Sequence, residues 1–177
     1  VPSHEIEFLP MTTEHIHLMA KWLQDPVVLA FYEGRDNPFD EEKVRRVFLE
    51  EKDIAIPCIV SYHGQPIGYI QYYEVNKEHQ KEYSYDSPAG KVFGMDQFIG
   101  ETSYWNKGIG TKMVATMVGF LQKELGAERI ILDPQVENRR AVAVYEKCGF
   151  QQIKLLPKHE WHEGVKRDCW LMEWRAE

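Results

Sequence analysis

The stretch YWNKGIGTKM, residues 104–113, decides the reading of the fold. Gly108 and Gly110 straddle one isoleucine, Lys107 and Lys112 stand on either side, and an apolar helical pattern follows at once. Glycine is a poor helix former, so a pair of them at a helix start needs a physical reason. Two reasons compete. Either the turn is merely tight, or an anion comes close to the backbone. Helix-start N–H groups have no intrahelical partner, the helix dipole is positive there, and glycine leaves room for close approach. Working outward, VFGMDQFIG (92–100) reads as a strand with Gly94 as a possible bulge. IGTKMVATMVGFLQKELGA (109–127) reads as a long helix carrying Met113, Met117, Phe120 and Leu121 on one face and ended by Gly126. A P-loop is excluded because no Gly-Lys-Ser/Thr follows four spacer residues, and a dinucleotide fingerprint because Met113 stands where its third glycine belongs.

The flanking segments alternate strands and helices. ERIILDP (128–134) is a short buried strand stopped by Pro134, and NRRAVAVYEKCGF (138–150) a helix opened by Asn138 and ended by Gly149. FQQIKLL (150–156) and CWLMEWR (169–175) are the last two strands, joined by the charged connection PKHEWHEGVKRD (157–168). Upstream, EIEFLP (5–10) alternates as a strand. TTEHIHLMAKWLQD (12–25) has a Thr cap with Glu14 behind it, then the helical stripe Ile16, Met19, Ala20, Leu23. Residues 25–40 form a loop or broken helix, and DEEKVRRVFLEE (40–51) a helix capped by Asp40. AIPCIVSY and QPIGYIQYYEV flank a hairpin turn at Gly64, and residues 76–91 read as an exposed loop. The expectation is one α/β domain over residues 1–177, with about seven strands and about four helices.

Composition narrows the function. The formal net charge is −7, which disfavours nucleic-acid binding through phosphate neutralisation and suits a cationic substrate drawn to an acidic cleft. No apolar run reaches the roughly 18–20 residues of a membrane span, and VPSHEIEFLP lacks the pattern of a secretion signal. Cys58, Cys148 and Cys169 are odd in number and widely spaced, which points to a reducing, cytoplasmic setting rather than a disulfide framework or zinc site. HEWHE (159–163) has its second histidine three rather than four residues on, so the helical zinc spacing is absent and no metal is expected.

The glycine loop, taken with DPQVENRRAVAVYEKCGF (133–150), resembles the acetyl-CoA-dependent N-acetyltransferase superfamily, GNAT. The shared features are a strand end, an Asn at a helix start, a Tyr seven residues on, and Gly-Phe closing the helix. GMDQFIGETSYWNKGIGTKM, ILDP, YEKCGF and LPKHEWHEGVKRDCWLMEWR are further similar to the aminoglycoside 6′-N-acetyltransferases, including the acetyltransferase half of the bifunctional acetyltransferase–phosphotransferase type. KWLQDPVVLAFYEGRD and PIGYIQYYEV extend the likeness over nearly the whole chain. One departure is Trp105, where the superfamily often has Gln or Arg three positions before the first glycine.

The resemblance implies a mixed central sheet with a CoA cleft between two splayed parallel strands. It implies acetyl-CoA as co-substrate, an aminoglycoside as acceptor, and antibiotic resistance as the outcome. Lys107, Gly108, Ile109, Gly110, Thr111 and Lys112 would grip the pyrophosphate, largely through backbone N–H groups. Asp96 would be the general base, removing a proton from the attacking amine directly or through water. Tyr145 is the candidate general acid for the departing thiolate, although a thiol's pKa of about 8.5 lies below tyrosine's of about 10 and protonation is not obligatory. A backbone N–H at Phe98 would polarise the thioester oxygen. Asn138 would bond the pantetheine arm or act as an ordinary helix cap. Tyr32, Glu33, Asp36, Asp96, Asp133 and Asp168 are candidates for recognising the polycation, and Trp22 is either a sugar platform or core. Alternatives with the same fold are acetylation of a polyamine or a protein amine, or CoA binding without catalysis. A monomer or weak homodimer is expected, with no nucleic-acid or membrane partner.

Overall fold

The computed structural model describes residues 5–83 and 90–177. Its elements run β1 (Ile6–Pro10), α1 (Ile16–Trp22), α2 (Pro26–Leu29), α3 (Glu41–Val44) continued by a π-helical turn over Arg45–Glu50, β2 (Ile56–Tyr62), β3 (Gln65–Val75) and α4 (Lys77–Glu82). Then follow β4 (Val92–Ile99), α5 (Ile109–Leu125), β5 (Arg129–Leu132), α6 (Arg139–Lys147), β6 (Gln151–His162) and β7 (Val165–Arg175). The seven strands hydrogen-bond in the order β1-β2-β3-β4-β5-β7-β6. The sheet is mixed, since β4 and β5 are parallel while β1–β2, β5–β7 and β6–β7 are antiparallel.

Local chemistry explains the element starts. Thr12 Oγ1 accepts from Glu14 N (3.3 Å) and Thr12 N donates to His15 Nδ1 (3.0 Å), so the capping box is closed by His15 rather than Glu14. Asp25 caps α2, whose first residue is Pro26, and Asp40 caps α3. The 25–40 segment therefore holds a one-turn helix, in keeping with the broken helix expected there. The segment expected as a loop over 76–91 also contains a helix, α4, because the Asn76 side chain accepts from His79 N at 2.9 Å. Of that segment, 84–89 lie outside the described residues. Short α2 and α4 bring the α-helices among the described residues to six against the four expected.

The last two strands are longer than the sequence suggests. PKHEWHEGVKRD is not a connecting loop: β6 and β7 run through it and turn at Glu163 (φ 51°) and Gly164 (φ 80°). Two successive positive φ values make the two-residue turn that matches strand twist, and His63–Gly64 (φ 49° and 82°) repeats it between β2 and β3.

The chain divides into two compact units, Val1–Gln71 with Asp96–Ile109, and Tyr72–Met95 with Gly110–Glu177. In the first, α1, α2 and α3 bury Met19, Trp22, Leu23, Leu29 and Val44 with Ile59, Tyr69 and Phe98 of the strands. Trp22 is 1% exposed and lies over Gly100, where an added Cβ would sit 2.2 Å from the indole. This tryptophan is core. In the second unit Val75, Val92, Ile131 and Leu171 form the centre of a cluster with Tyr73, Tyr83 and Leu156 packed on it. The β4–β5 register passes through Val92↔Arg129, Phe93↔Ile130 and Gly94↔Ile131 without a shift. Gly94 therefore makes no bulge against β5. It is glycine because the Tyr73 ring covers it, 2.4 Å from a Cβ built there.

Candidate functional site

In the first unit the site is built from β3 and β4. The register with β5 ends at Gly94, and β4 goes on to Ile99, carrying Asp96 and Phe98. Residues two apart share a strand face, so the side chains of Asp96 and Phe98 project together, as do those of Tyr69 and Gln71 on neighbouring β3. The Asp96 carboxylate accepts from Gln71 Nε2 at 3.0 Å, and Gln71 Oε1 accepts from the Tyr69 hydroxyl at 2.7 Å. Burial pushes the Tyr69 phenol far up, with the negative charge of Asp96 and the nearby Cys58 adding to it. Phe98 is buried, with its ring against Tyr32 (4.6 Å between centroids) and Tyr69 (5.8 Å). Its side chain is core, so any contact with a cofactor must come from its main chain.

The early segment supplies Tyr32, half-buried on Phe98, and Glu33 in a left-handed conformation (φ 71°). Glu33 Oε2 accepts from Asn37 Nδ2 at 3.1 Å, and Asn37 Oδ1 in turn accepts from Lys43, whose ammonium lies 4.2 Å from the Phe39 ring centroid. Asp36 is exposed. Glu101 accepts from Trp22 Nε1 (2.5 Å) and Lys21 Nζ (3.0 Å). The indole bond, with the adjacent ammonium, holds its carboxyl below the usual range against the opposing effect of burial.

The glycine loop follows. Trp105 donates from Nε1 to the Ile99 carbonyl at 2.9 Å and packs edge-on against Phe31. The residue that departs from the superfamily pattern thus straps the loop to the end of β4. Asn106 (φ 61°) and Gly108 (φ 77°) reverse the chain, and nothing lies within 4 Å of a Cβ built on Gly108. Gly108 is glycine for its backbone angle, and the space beside it is open. Lys107, Gly108 and Lys112 are exposed, Gly110 and Thr111 half-buried, and Ile109 buried as a core side chain. The first turn of the 17-residue α5 presents N–H groups that have no partner within the helix. An open glycine, two flanking lysines and a helix start make a donor set that fits a pyrophosphate.

The second unit gathers a different group. Asp133, just after β5, has Oδ2 2.9 Å from His159 Nε2. That hydrogen bond raises the imidazole's pKa against the effect of burial, and the charges of Asp133 and Glu160 reinforce it. Asp168 Oδ1 accepts from Lys158 N at 2.8 Å, pinning the irregularity between Leu156 and Glu160 in β6, where Lys158 takes φ 47°. Glu160 Oε2 accepts from Gln135 Nε2 at 2.9 Å and lies 3.9 Å from Cys169 Sγ. The Cys169 thiol is pushed up to about 12, first by burial and then by Glu160, Asp133 and Asp168.

Asn138 is the α6 cap, its Oδ1 accepting from Ala141 N at 3.3 Å, which leaves the amide NH₂ to other duties. Tyr145 is half-buried, 6.1 Å from the Phe150 ring. Cys148 Sγ donates to the Thr111 carbonyl at 3.5 Å, tying α6 to the first turn of α5. Among the described residues no group of three or more His, Cys, Asp or Glu could hold a metal ion. The HEWHE residues instead go to separate partners: His159 to Asp133, Glu160 to Gln135, and His162 to Glu163 at 3.8 Å.

The structure thus brings Tyr32 beside Phe98, Asp133 to His159, and Asp168 to the Lys158 main chain. Sequence reasoning missed Gln71 and Tyr69, and considered His159 and Glu160 only as part of a zinc pattern that it set aside. Tyr69 and Gln71 share one face of β3 beside β4, and no local sequence signal marks that placement.

Known proteins resemble this chain in sequence and in fold. Residues 12–157 match the family described as the acetyltransferase (GNAT) domain. The chain is 29% identical over 154 residues to an aminoglycoside N(6′)-acetyltransferase type 1 of Klebsiella pneumoniae, covering 85% of this chain and 76% of the relative. It is 30% identical over 95 residues to a spermine/spermidine N(1)-acetyltransferase of Bacillus subtilis (strain 168), covering 54% and 59%. The crystal structure of aminoglycoside acetyltransferase AAC(6′)-Ib in complex with coenzyme A has the same fold, with TM-score 0.77 and 24% identity over 97% of this chain and 95% of that one. A parallel strand that outruns its neighbour, an open glycine turn at a long helix start and a match over residues 12–157 lead to one statement: the chain belongs to the GNAT acetyltransferase family.

Proposed function

We propose that the protein transfers the acetyl group of acetyl-CoA to the 6′-amine of an aminoglycoside, in one acetyltransferase domain spanning 1–177. The observation that carries the substrate class is the grouping of three carboxylates beside β6 and β7: Asp133 against His159, Glu160 3.9 Å from Cys169 Sγ, and Asp168 on the Lys158 main chain. Three carboxylates grouped on neighbouring segments favour a polycationic acceptor. Homology to the aminoglycoside enzyme of K. pneumoniae selects the aminoglycoside within that class. A second reading, a polyamine acceptor, is favoured by the B. subtilis relative.

Acetyl-CoA supplies an activated thioester. Gly108 and the N–H groups of Ile109–Lys112 hold its pyrophosphate, with Lys107 and Lys112 adding charge. Asp96 takes the proton of the attacking amine as the N–C bond forms and the C–S bond breaks. A main-chain N–H at Phe98 stabilises the charge that develops on the carbonyl oxygen. Tyr145 returns a proton to the departing sulfur or simply donates a hydrogen bond to it. The Asn138 amide steadies the pantetheine arm. Tyr32, Glu33, Asp36, Asp133 and Asp168 contact the ammonium groups of the acceptor. Three free thiols support a reducing, cytoplasmic compartment, and we expect a monomer or weak homodimer without nucleic-acid or membrane partners.

The test is thiol release from acetyl-CoA with kanamycin, tobramycin, spermidine or a lysine peptide as acceptor. Release with the two aminoglycosides supports the proposal. Release with spermidine alone transfers the assignment to polyamines, and CoA binding with no turnover on any amine overturns catalysis.

A further inference from the structure

We propose that Gln71 is a positioning residue for the reaction, holding the Asp96 carboxylate in place through a relay anchored on the buried Tyr69. The inference rests on the reading of Asp96 as the general base.

The relay has a single workable direction. An ionised carboxylate only accepts hydrogen bonds, so Gln71 must turn its NH₂ toward Asp96, as the 3.0 Å contact has it. Its carbonyl oxygen then faces Tyr69, which must donate, and does so at 2.7 Å. Tyr69 is 0% exposed, with its ring packed against Phe48 and Phe98, so its hydroxyl has one fixed position. The phenol keeps its proton across the working pH range because burial, the charge of Asp96 and Cys58 all raise its pKa. A fixed donor thus orients the amide, and the amide orients the carboxylate.

Two consequences follow. The base is held in one rotamer, which is where a few tenths of an ångström govern the rate. The donated N–H also favours the ionised carboxylate, so it keeps the base active toward lower pH. A mere cross-link between β3 and β4 would do neither.

The experiment measures kcat and KM against pH, with acetyl-CoA and kanamycin, for the wild type and for Gln71→Leu, Gln71→Glu, Tyr69→Phe and Asp96→Asn. Loss of a hydrogen bond to a charged group predicts a fall in kcat of about 10-fold for Gln71→Leu, with KM for acetyl-CoA unchanged. Its acid limb should move up by about one pH unit. Gln71→Glu is nearly isosteric and places a like charge beside Asp96, so its acid limb should move further up than that of Gln71→Leu. Tyr69→Phe should fall between wild type and Gln71→Leu. Melting temperatures and acetyl-CoA affinity report folding. If Asp96→Asn keeps wild-type turnover, the reading of the base fails. If Asp96→Asn is inactive while both Gln71 variants keep the wild-type acid limb, the positioning role is overturned, whatever their melting temperatures.

Discussion

Gly68 and Gly119 offer the same chemical change with opposite expected outcomes. A Cβ at Gly68 of β3 would sit 2.3 Å from the Phe98 carbonyl oxygen and 3.0 Å from Ile99 Cα of β4. Both are backbone atoms, so no rotamer change relieves the overlap. Restoring an ordinary carbon–oxygen contact of about 3.3 Å requires roughly 1 Å of strand displacement. Overpacking costs about 1–3 kcal/mol, and a backbone clash belongs near about 3 kcal/mol. At about 2–4 °C per kcal/mol for a chain of this size, Gly68→Ala should lower Tm by roughly 6–12 °C. The displaced strand carries Asp96 and Phe98, so kcat should fall on the order of 10–100-fold even at temperatures where the variant is folded. Gly119 lies inside α5, and nothing is within 4 Å of its added Cβ. Gly119→Ala should therefore gain about 0.5–1 kcal/mol from helix propensity and raise Tm by about 1–4 °C. Thermal unfolding followed by circular dichroism, with thiol release on the folded protein, reads both. An unchanged Tm and kcat in Gly68→Ala, or equal losses in the two variants, would refute the reasoning.

Three other outcomes follow from the ionisable groups. His159 has a raised folded pKa, so its pairing with Asp133 stabilises fully below the ordinary histidine value of about 6.5 and is lost as pH rises through the raised value. The Tm gap between wild type and His159→Gln should accordingly be larger at pH 6 than at pH 9. Glu101 has a lowered folded pKa, so its contribution is present above the ordinary carboxylate value and is lost as pH falls through the lowered one. Glu101→Gln should lower Tm at neutral pH and converge with wild type in strong acid, measured by calorimetry across that range. Cys58 and Cys169 are buried, with thiols raised to about 11 and about 12, whereas Cys148 is half-buried. Brief iodoacetamide treatment of native protein, read by peptide mass spectrometry, should label Cys148 first; early labelling of Cys169 would contradict its placement.

Much of the fold was legible because its signals are local. Asp40 and Asn138 as caps, Gly126 and Gly149 at helix ends, and Gly64 in a hairpin each act within one turn of chain. The long β6–β7 hairpin was not legible, since PKHEWHEGVKRD lacks apolar alternation and its strands are held by cross-strand pairing. Gly68 and Gly100 carried no readable reason, and Gly94 reads wrongly as a bulge, because each accommodates an atom distant in sequence: the Phe98 carbonyl, the Trp22 indole and the Tyr73 ring. The same holds at the site. Asp96 and the glycine loop stand out by motif, but Gln71 acquires meaning only when β3 is set beside β4. His159 does so only when β6 bends at Lys158 and brings it to Asp133.

The most direct measurement is a competition in one tube: limiting acetyl-CoA with equal kanamycin and spermine, and mass spectrometric fragmentation of the products. The account predicts monoacetylated kanamycin with the acetyl group on the 6′-amine as the dominant product. Acetylspermine as the dominant product, or kanamycin acetylated at another amine, would contradict it.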